Sequence, residues 1–575
     1  MASNATLFSP GPDNVVGPLA AGTFRSIPMT IGIALVLLVL INTLLTPRVD
    51  PREPPLLKPS IPFIGHIINL FRHQAAFHTL LSAESALPIA TLQMLNGKVY
   101  AIWDPTLISA GLKSKNLSNV PQIRKYVSNL MRTSSEGTAF LTSPEGDDLS
   151  IRMLQHVIPK SLKGENNASM TRAALSELSS TFTSLSRPSG SGDTAAEKIQ
   201  IPNLWAWTRH TLVTATSAAL YGPASQDPFR LNPEMETALF DFEASLLLLS
   251  LGLPFPSVTA KVGHAARAVL SKGLEPFYVE KKYNHPACSA FVRDRAELLI
   301  GEGVPEQDIP RLEIMLPFAG MANTVPTLYW LLVRIITADR ETVERLRSEV
   351  TEGLLQVRHD DSEAPDGGEL KGKIAGGGGE AVLKIGANLV EEKCPLLWAF
   401  YRETLRSAVH QVSTRTVMQD TVLQGSGPGG GKEYLLKKGT VVQMAIGAGH
   451  ARGEYWGEDR NEFRPERFLD AAGKEGGGVG SAKAVRSAYQ PFGGGVHLCP
   501  GRFFAIAEMM AVVSSVLLAF DFEPLGGEKE WKIPKLGVGS LIDAVTKPAD
   551  RDQGFGVTLK IKKGWKGVKW RYEMA

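Results

Sequence analysis

The residues with the most chemical content lie near the C-terminus, in PFGGGVHLCPGRFFAIAEMM. The fixed points are Phe492, Gly495, His497, Cys499 and Gly501, followed by an apolar helical run. A lone cysteine is usually an inert, buried small hydrophobe. Here Gly493, Gly494 and Gly495 let the backbone turn tightly and approach a flat ligand. Pro500 and Gly501 open a helix, so the sulfur lies near oriented N–H groups that favour a thiolate. A thiolate is the form of cysteine that binds a metal.

A second group follows helical spacing. Glu403 and Arg406 in YRETLR are three residues apart and share a helix face. Read alone, the pair is an ordinary surface ion pair. A third stretch, FAGMANTVPTLYW, places Ala319, Gly320, Asn323 and Thr324 just before Pro326. Proline removes a helix hydrogen bond and should free the Ala322 carbonyl. Either this is a simple kink with a packed asparagine, or Asn323 and the freed carbonyl organise polar ligands.

These elements need a frame. The 575 residues are 43% hydrophobic and 21% charged, close to the average for packed globular chains. That excludes disorder, collagen and coiled coil. The net charge of +3 gives no argument for nucleic acid. Three cysteines cannot form a disulfide framework, which points to a reducing compartment. Helical periodicity dominates, with the longest helix expected from Leu312 through Val350. Others are expected over Leu175–Leu185, Leu204–Tyr221, Pro233–Leu249, Leu389–Ser407 and Arg502–Phe520. Short strands are expected near Ile89–Ala101, Ser413–Val422, Thr440–Met444 and Gly556–Ile561. The fold class is therefore mostly α (α+β). Glycine-rich stretches at Asp366–Glu380, Gly425–Gly431 and Gly473–Gly480 lack a P-loop's context and read as surface insertions.

Ile27 to Leu45 carries no charge and nearly crosses a ~30 Å hydrocarbon core. It reads as a transmembrane anchor rather than a cleaved signal peptide or a core helix. Arg48, Arg52 and Lys58 follow it while Arg25 alone precedes it, which places the C-terminal bulk in the cytoplasm. The organisation is a lumenal tail (1–26, with a sequon at Asn4), the anchor (27–45), a Pro-rich segment (46–62) and one catalytic domain (63–575). The Pro-rich segment is either a plain linker or a stiff hinge.

The cysteine motif resembles the haem-binding loop of the cytochrome P450 family at every fixed position. Glu403-x-x-Arg406 and then Phe463-Arg464-Pro465-Glu466-Arg467-Phe468 follow that family's order. The resemblance implies many helices around a buried haem b, with small sheets. Cys499 becomes the axial iron ligand, and a thiolate there favours O–O cleavage. Phe492, His497 and Arg415 would bind the haem, His497 and Arg415 at its propionates. Glu403, Arg406 and Arg467 would form a buried ionic network. Leu149 stands where the family has a tryptophan, and Arg152, or else His156, would take a propionate role.

The oxygen-side helix departs from the family pattern. Ala322 replaces the acid and Asn323 the threonine, with Thr324 turned about 100° away. The Ala-Asn-Thr-x-Pro string resembles the sterol 7α- and 12α-hydroxylases and prostacyclin synthases, as do ETLRSAVHQVSTRTVMQD and Gly252-Leu253-Pro254. The apolar run Leu246–Leu251 is either a membrane-dipping substrate entrance or a buried helix end. Phe240–Pro256 and Gly537–Asp543 would line the pocket.

The implied activity is an endoplasmic reticulum monooxygenase acting on a bulky hydrophobic substrate. Electrons would come from NADPH-cytochrome P450 reductase docked on a basic patch, with cytochrome b5 as a further partner, since no dinucleotide fingerprint lies in the chain. The alternative is an isomerase or dehydratase acting on a lipid peroxide. A haem-binding sensor or degenerate scaffold is the third reading, opposed by the intact Cys499, Glu403, Arg406 and Arg467.

Overall fold

The computed structural model describes residues 48–59, 65–85, 87–94, 97–187, 198–358, 379–425, 431–469, 483–495, 498–537, 543–549, 551 and 554–575. The expected anchor, the Asn4 sequon, His497, the 473–480 stretch, residues 538–542 and most of 366–380 lie outside these residues.

Helices dominate, and local chemistry sets their ends. The Asn203 side chain accepts the Ala206 N–H at 3.0 Å and starts Leu204–Tyr221. Gly222 then stops it at φ 91°, a left-handed conformation that glycine adopts without strain. Asp339 caps Arg340–Gly353 in the same way, accepting the Thr342 N–H at 2.9 Å.

The long helix expected from Leu312 to Val350 is divided. Met315–Met321 ends before Ala322 and Asn323, Thr324–Ile336 resumes, and the Asp339 cap begins a separate helix. Pro326 has no N–H to reach the Ala322 carbonyl, so the first break falls where the ladder loses that bond. Pro233–Leu249 is likewise split, into Glu234–Ala244 and Leu246–Ser250, and Leu389–Ser407 divides at Pro395. The expected strand Ile89–Ala101 is a hairpin of Ile89–Met94 with Gly97–Ile102. Ser413–Val422 is two strands, Val412–Val417 and Thr421–Gln424.

Six strands form a mixed sheet in the order Leu56–Leu57, Ile89–Met94, Gly97–Ile102, Val441–Ala445, Val412–Val417, Leu117–Ser118. Two smaller three-stranded sheets close on the C-terminal strands Val557–Ile561 and Lys569–Met574. The described part of the Pro-rich segment is built into the large sheet. Leu56 and Leu57 pair in parallel with Thr91 and Leu92, and the Thr91 hydroxyl donates to the Pro54 carbonyl at 2.7 Å. Residues 54–57 are therefore packed as part of the large sheet.

The core gathers around Thr324–Ile336 and Arg502–Ala519, both buried along most of their length. Among the described residues, only Arg502–Ala519 is long and apolar enough to cross a membrane. It is 83% buried inside the protein, so it is the hub of the core.

Candidate active site

The loop before Arg502–Ala519 is shaped by its glycines. Gly493 and Gly495 have φ of 72° and 63°. A Cβ on Gly495 would lie 2.5 Å from the Leu112 carbonyl oxygen, so no other residue fits there without a shift. The Cys499 N–H donates to the Phe492 carbonyl at 3.0 Å, which closes the loop. The Arg502 guanidinium donates to the Cys499 carbonyl at 2.9 Å. Burial raises the pKa of the Cys499 thiol, while the N–H groups of Gly501 and Arg502 and the Arg502 charge pull it down. Cys288 and Cys394 are also free thiols. Burial pushes Cys288 up to about 12 and Cys394 higher still, and neither lines a cavity with Cys499.

The ionic network sits on the helix Pro395–Ala408. Glu403 is fully buried, and both its oxygens accept from Arg406 at 2.7 Å. The Arg464 backbone N–H adds 2.9 Å, and Arg467 Nε stands 3.5 Å from the same carboxylate. Arg406 also reaches the His450 carbonyl at 2.9 Å, and its guanidinium stacks 5.2 Å over Trp456. Arg467 ties down Trp456 and Asp459 through hydrogen bonds. Every charge in the cluster is matched, which a buried cluster requires.

Cys499 opens on a cavity of about 720 Å³. Phe492 and Gly501 line it on the cysteine side, and Ala319, Gly320, Asn323 and Thr324 line it from the divided helix. The structure therefore brings the cysteine loop and the unusual Ala-Asn-Thr segment to one space. The Thr324 hydroxyl donates to the Gly320 carbonyl at 3.1 Å, and the Thr327 hydroxyl to the Asn323 carbonyl at 2.7 Å. Both alcohols serve the helix break. The Asn323 side chain is exposed to the cavity.

Arg415 is buried in the large sheet, opposite Val442. Its side chain makes one hydrogen bond among the described residues, to the Thr414 carbonyl at 2.9 Å, and no carboxylate faces it there. Burial lowers its pKa. Arg415 is itself absent from the cavity lining, so its tie to a cofactor stays what the family resemblance implies, and the structure adds only that this buried guanidinium has no carboxylate partner. With the cysteine at a helix start, the glycine turn and an apolar cavity, the residues present fit a haem.

Arg152 has other partners. Its guanidinium pairs with Asp148 at 3.0 Å and Glu302 at 2.5 Å, and it is absent from the cavity lining. Leu149, Met153 and Leu154 of that region line the cavity, while His156 is exposed. The helix turn that aims Leu149 inward carries Arg152 to the surface carboxylates.

Sequence reasoning missed two polar groups. Glu508 is fully buried, pushed up to about 8 by burial, and accepts the Thr216 hydroxyl at 2.9 Å. Thr216 lines the cavity beside Gly320. The signal was available: Glu508 is the one charge in the apolar run from Phe503 to Phe520. The Arg295–Glu313 pair, also in the cavity wall, had no such signal, because it joins a helix to a turn distant in sequence.

Residues 391–548 match the family model described as Cytochrome P450. A cytochrome P450 monooxygenase of Gibberella zeae is 32% identical over 95% of this chain and 96% of its own length. A cytochrome P450 monooxygenase of Hypoxylon pulicicidum is 28% identical over 91% and 93%. The 7-alpha-hydroxycholest-4-en-3-one 12-alpha-hydroxylase of Homo sapiens is 25% identical over 82% and 87%.

Proposed function

The chain belongs to the cytochrome P450 family of haem-iron monooxygenases, and on that premise we propose that it hydroxylates or oxidises a bulky hydrophobic metabolite such as a sterol or terpenoid. The observation that carries this reading is the shared apolar cavity of Cys499 and Asn323. Bound haem supplies the oxygen activation and accepts the electrons.

The chain's own residues bind, orient and shield. Cys499 would hold the iron through its sulfur. Phe492 would hold the cofactor's periphery from the cavity wall, and Arg415 and His497 would take the propionate roles that the family resemblance implies. Asn323 presents an amide that both donates and accepts, where the family pattern has a threonine hydroxyl. Gly320 allows close approach to Thr216, since a Cβ there would lie 3.3 Å from its methyl group. The leucines, methionines and phenylalanines of the wall exclude water and favour a hydrocarbon substrate.

The same reading places the protein in the endoplasmic reticulum membrane through residues 27–45, with the catalytic domain facing the cytoplasm. The segment after Leu246–Ser250 supports a membrane-facing entrance. Leu246 and Leu249 are buried, while Leu251 and Leu253 are exposed and Phe255 and Val258 are 77% and 78% exposed. NADPH-cytochrome P450 reductase supplies the electrons, with cytochrome b5 as a further partner.

One observation favours the second reading, an isomerase acting on a lipid peroxide. Ala322 replaces the acid, and both nearby threonine hydroxyls are committed to backbone carbonyls. Turnover in reconstituted membranes separates the two. Monooxygenation requires NADPH and places one atom of O₂ in the product. Product formed from a peroxide without NADPH or O₂ would establish the isomerase instead.

A further inference from the structure

One part of the cavity wall is charged. Arg295, on the helix Ala290–Gly301, and Glu313, just before Met315–Met321, both line it. Arg295 Nη2 donates to Glu313 Oε1 at 2.6 Å and Nε to Oε2 at 3.1 Å, a fork-to-fork pair. The Tyr278 hydroxyl donates to Oε2 at 3.2 Å. Glu313 is fully buried and occupied by three donors. The third nitrogen of the guanidinium, Nη1, makes no hydrogen bond among the described residues. Around the pair the wall is apolar: Leu220, Phe291, Leu299 and Leu312.

A buried ion pair is seldom more stabilising than apolar residues of the same volume. Placing one in the wall of an otherwise apolar cavity therefore asks for a role beyond stability. The pair is neutral in sum, so it offers no net charge to balance an anion. Its carboxylate is already engaged, so what remains for a ligand is the pair of N–H donors on Nη1, fixed in direction by the fork.

We propose that Arg295 is a substrate-orienting residue. A free N–H on Nη1 donates to one neutral acceptor oxygen, a ketone, ester or hydroxyl, on a substrate that is otherwise hydrocarbon. Held there, the substrate presents a defined carbon to the Cys499 side of the same cavity. This rests on the monooxygenase reading and narrows its substrate class to scaffolds that already carry an oxygen function. A site built to donate to an oxygen discriminates against the analogue lacking it, because the donor is then buried without a partner.

The test uses the full-length, haem-loaded protein and optical titration of ligand binding. The probes are matched pairs built on a steroid, a tricyclic diterpene and a linear C18 chain, each with and without one terminal ketone. The expected result is that one ketone binds roughly ten- to hundredfold more tightly than its hydrocarbon partner. The double variant Arg295→Met/Glu313→Leu, which strands no charge, is expected to erase that difference while still binding the hydrocarbon. Equal binding of both members to the unaltered protein overturns the subsite and leaves the apolar oxygenase cavity standing. That comparison holds whether or not the variant folds. A ketone preference that survives in a folded, haem-loaded double variant overturns the assignment to Arg295. No optical response to any probe would tell against the cavity as a substrate site, and the subsite would fall with it.

Discussion

The Thr216 hydroxyl donates to Glu508 Oε1 at 2.9 Å, joining the helix Leu204–Tyr221 to the helix that follows Cys499. The second oxygen, Oε2, is buried without a partner among the described residues. A carboxylate in that position would lack solvation, and burial accordingly lifts the group to about 8. Glu508 is thus held as a neutral acid beside the cavity wall.

This neutral acid makes stability depend on pH. The folded pKa of about 8 lies above the ordinary value of 4.5, so the folded state binds more protons than the unfolded state between them. Stability from this group is full below about pH 4.5 and falls as pH rises toward 8. Glu508→Gln keeps an acceptor for Thr216 and removes the titration. We expect it to raise stability at pH 8 by a few kcal/mol, since each tenfold difference in proton affinity is worth about 1.4 kcal/mol, and to change little at pH 5. Thermal unfolding of both proteins at the two pH values checks this; equal effects at both would refute it.

Cys499→Ala removes the sulfur from the cavity and leaves the loop's turn intact. The expected outcome is loss of the thiolate-type optical spectrum of the haem-loaded protein. A retained thiolate spectrum would exclude Cys499 as the ligand.

Removing Glu403 strands the buried Arg406 guanidinium, while Arg467 keeps its pair with Asp459 at 2.8 Å. Glu403→Ala is expected to cost about 3–5 kcal/mol, enough to abolish recovery of folded, haem-loaded protein. Arg152→Ala frees only part-exposed carboxylates, which water can solvate, and is expected to leave stability and haem content close to unchanged. Haem-to-protein ratios of the two variants, compared side by side, distinguish the buried network from the surface one.

Gly495→Ala tests the loop geometry. The new Cβ would meet the Leu112 carbonyl at 2.5 Å in a backbone conformation that alanine rarely adopts. We expect a loss of about 1–3 kcal/mol and weaker haem retention. Gly301→Ala, at the end of the helix Ala290–Gly301, where a Cβ would meet nothing within 4 Å, is the control and is expected to keep its haem. Dialysis against a haem acceptor protein reads both.

The cysteine loop, the Glu403-x-x-Arg406 pair and the boundaries of Leu204–Tyr221 were legible in the chain. They are local: a glycine turn, an i,i+3 spacing and an Asn-to-Gly pair of caps act within a few residues. The division of the long helix was half legible, since Pro326 announced a lost hydrogen bond but not that Met315–Met321 and Thr324–Ile336 would separate at Asn323.

What the sequence determined by itself was the family, because the cysteine motif and its glycine turn are written in consecutive residues. Tertiary structure alone decided which side chains share the cavity. Arg152 and Leu149 lie one helical turn apart, yet packing turns one to surface carboxylates and the other inward. Thr216 with Glu508, and Arg295 with Glu313, meet only when elements distant in sequence pack together. Side-chain neighbours across helices depend on where every helix comes to rest, and no local spacing records that.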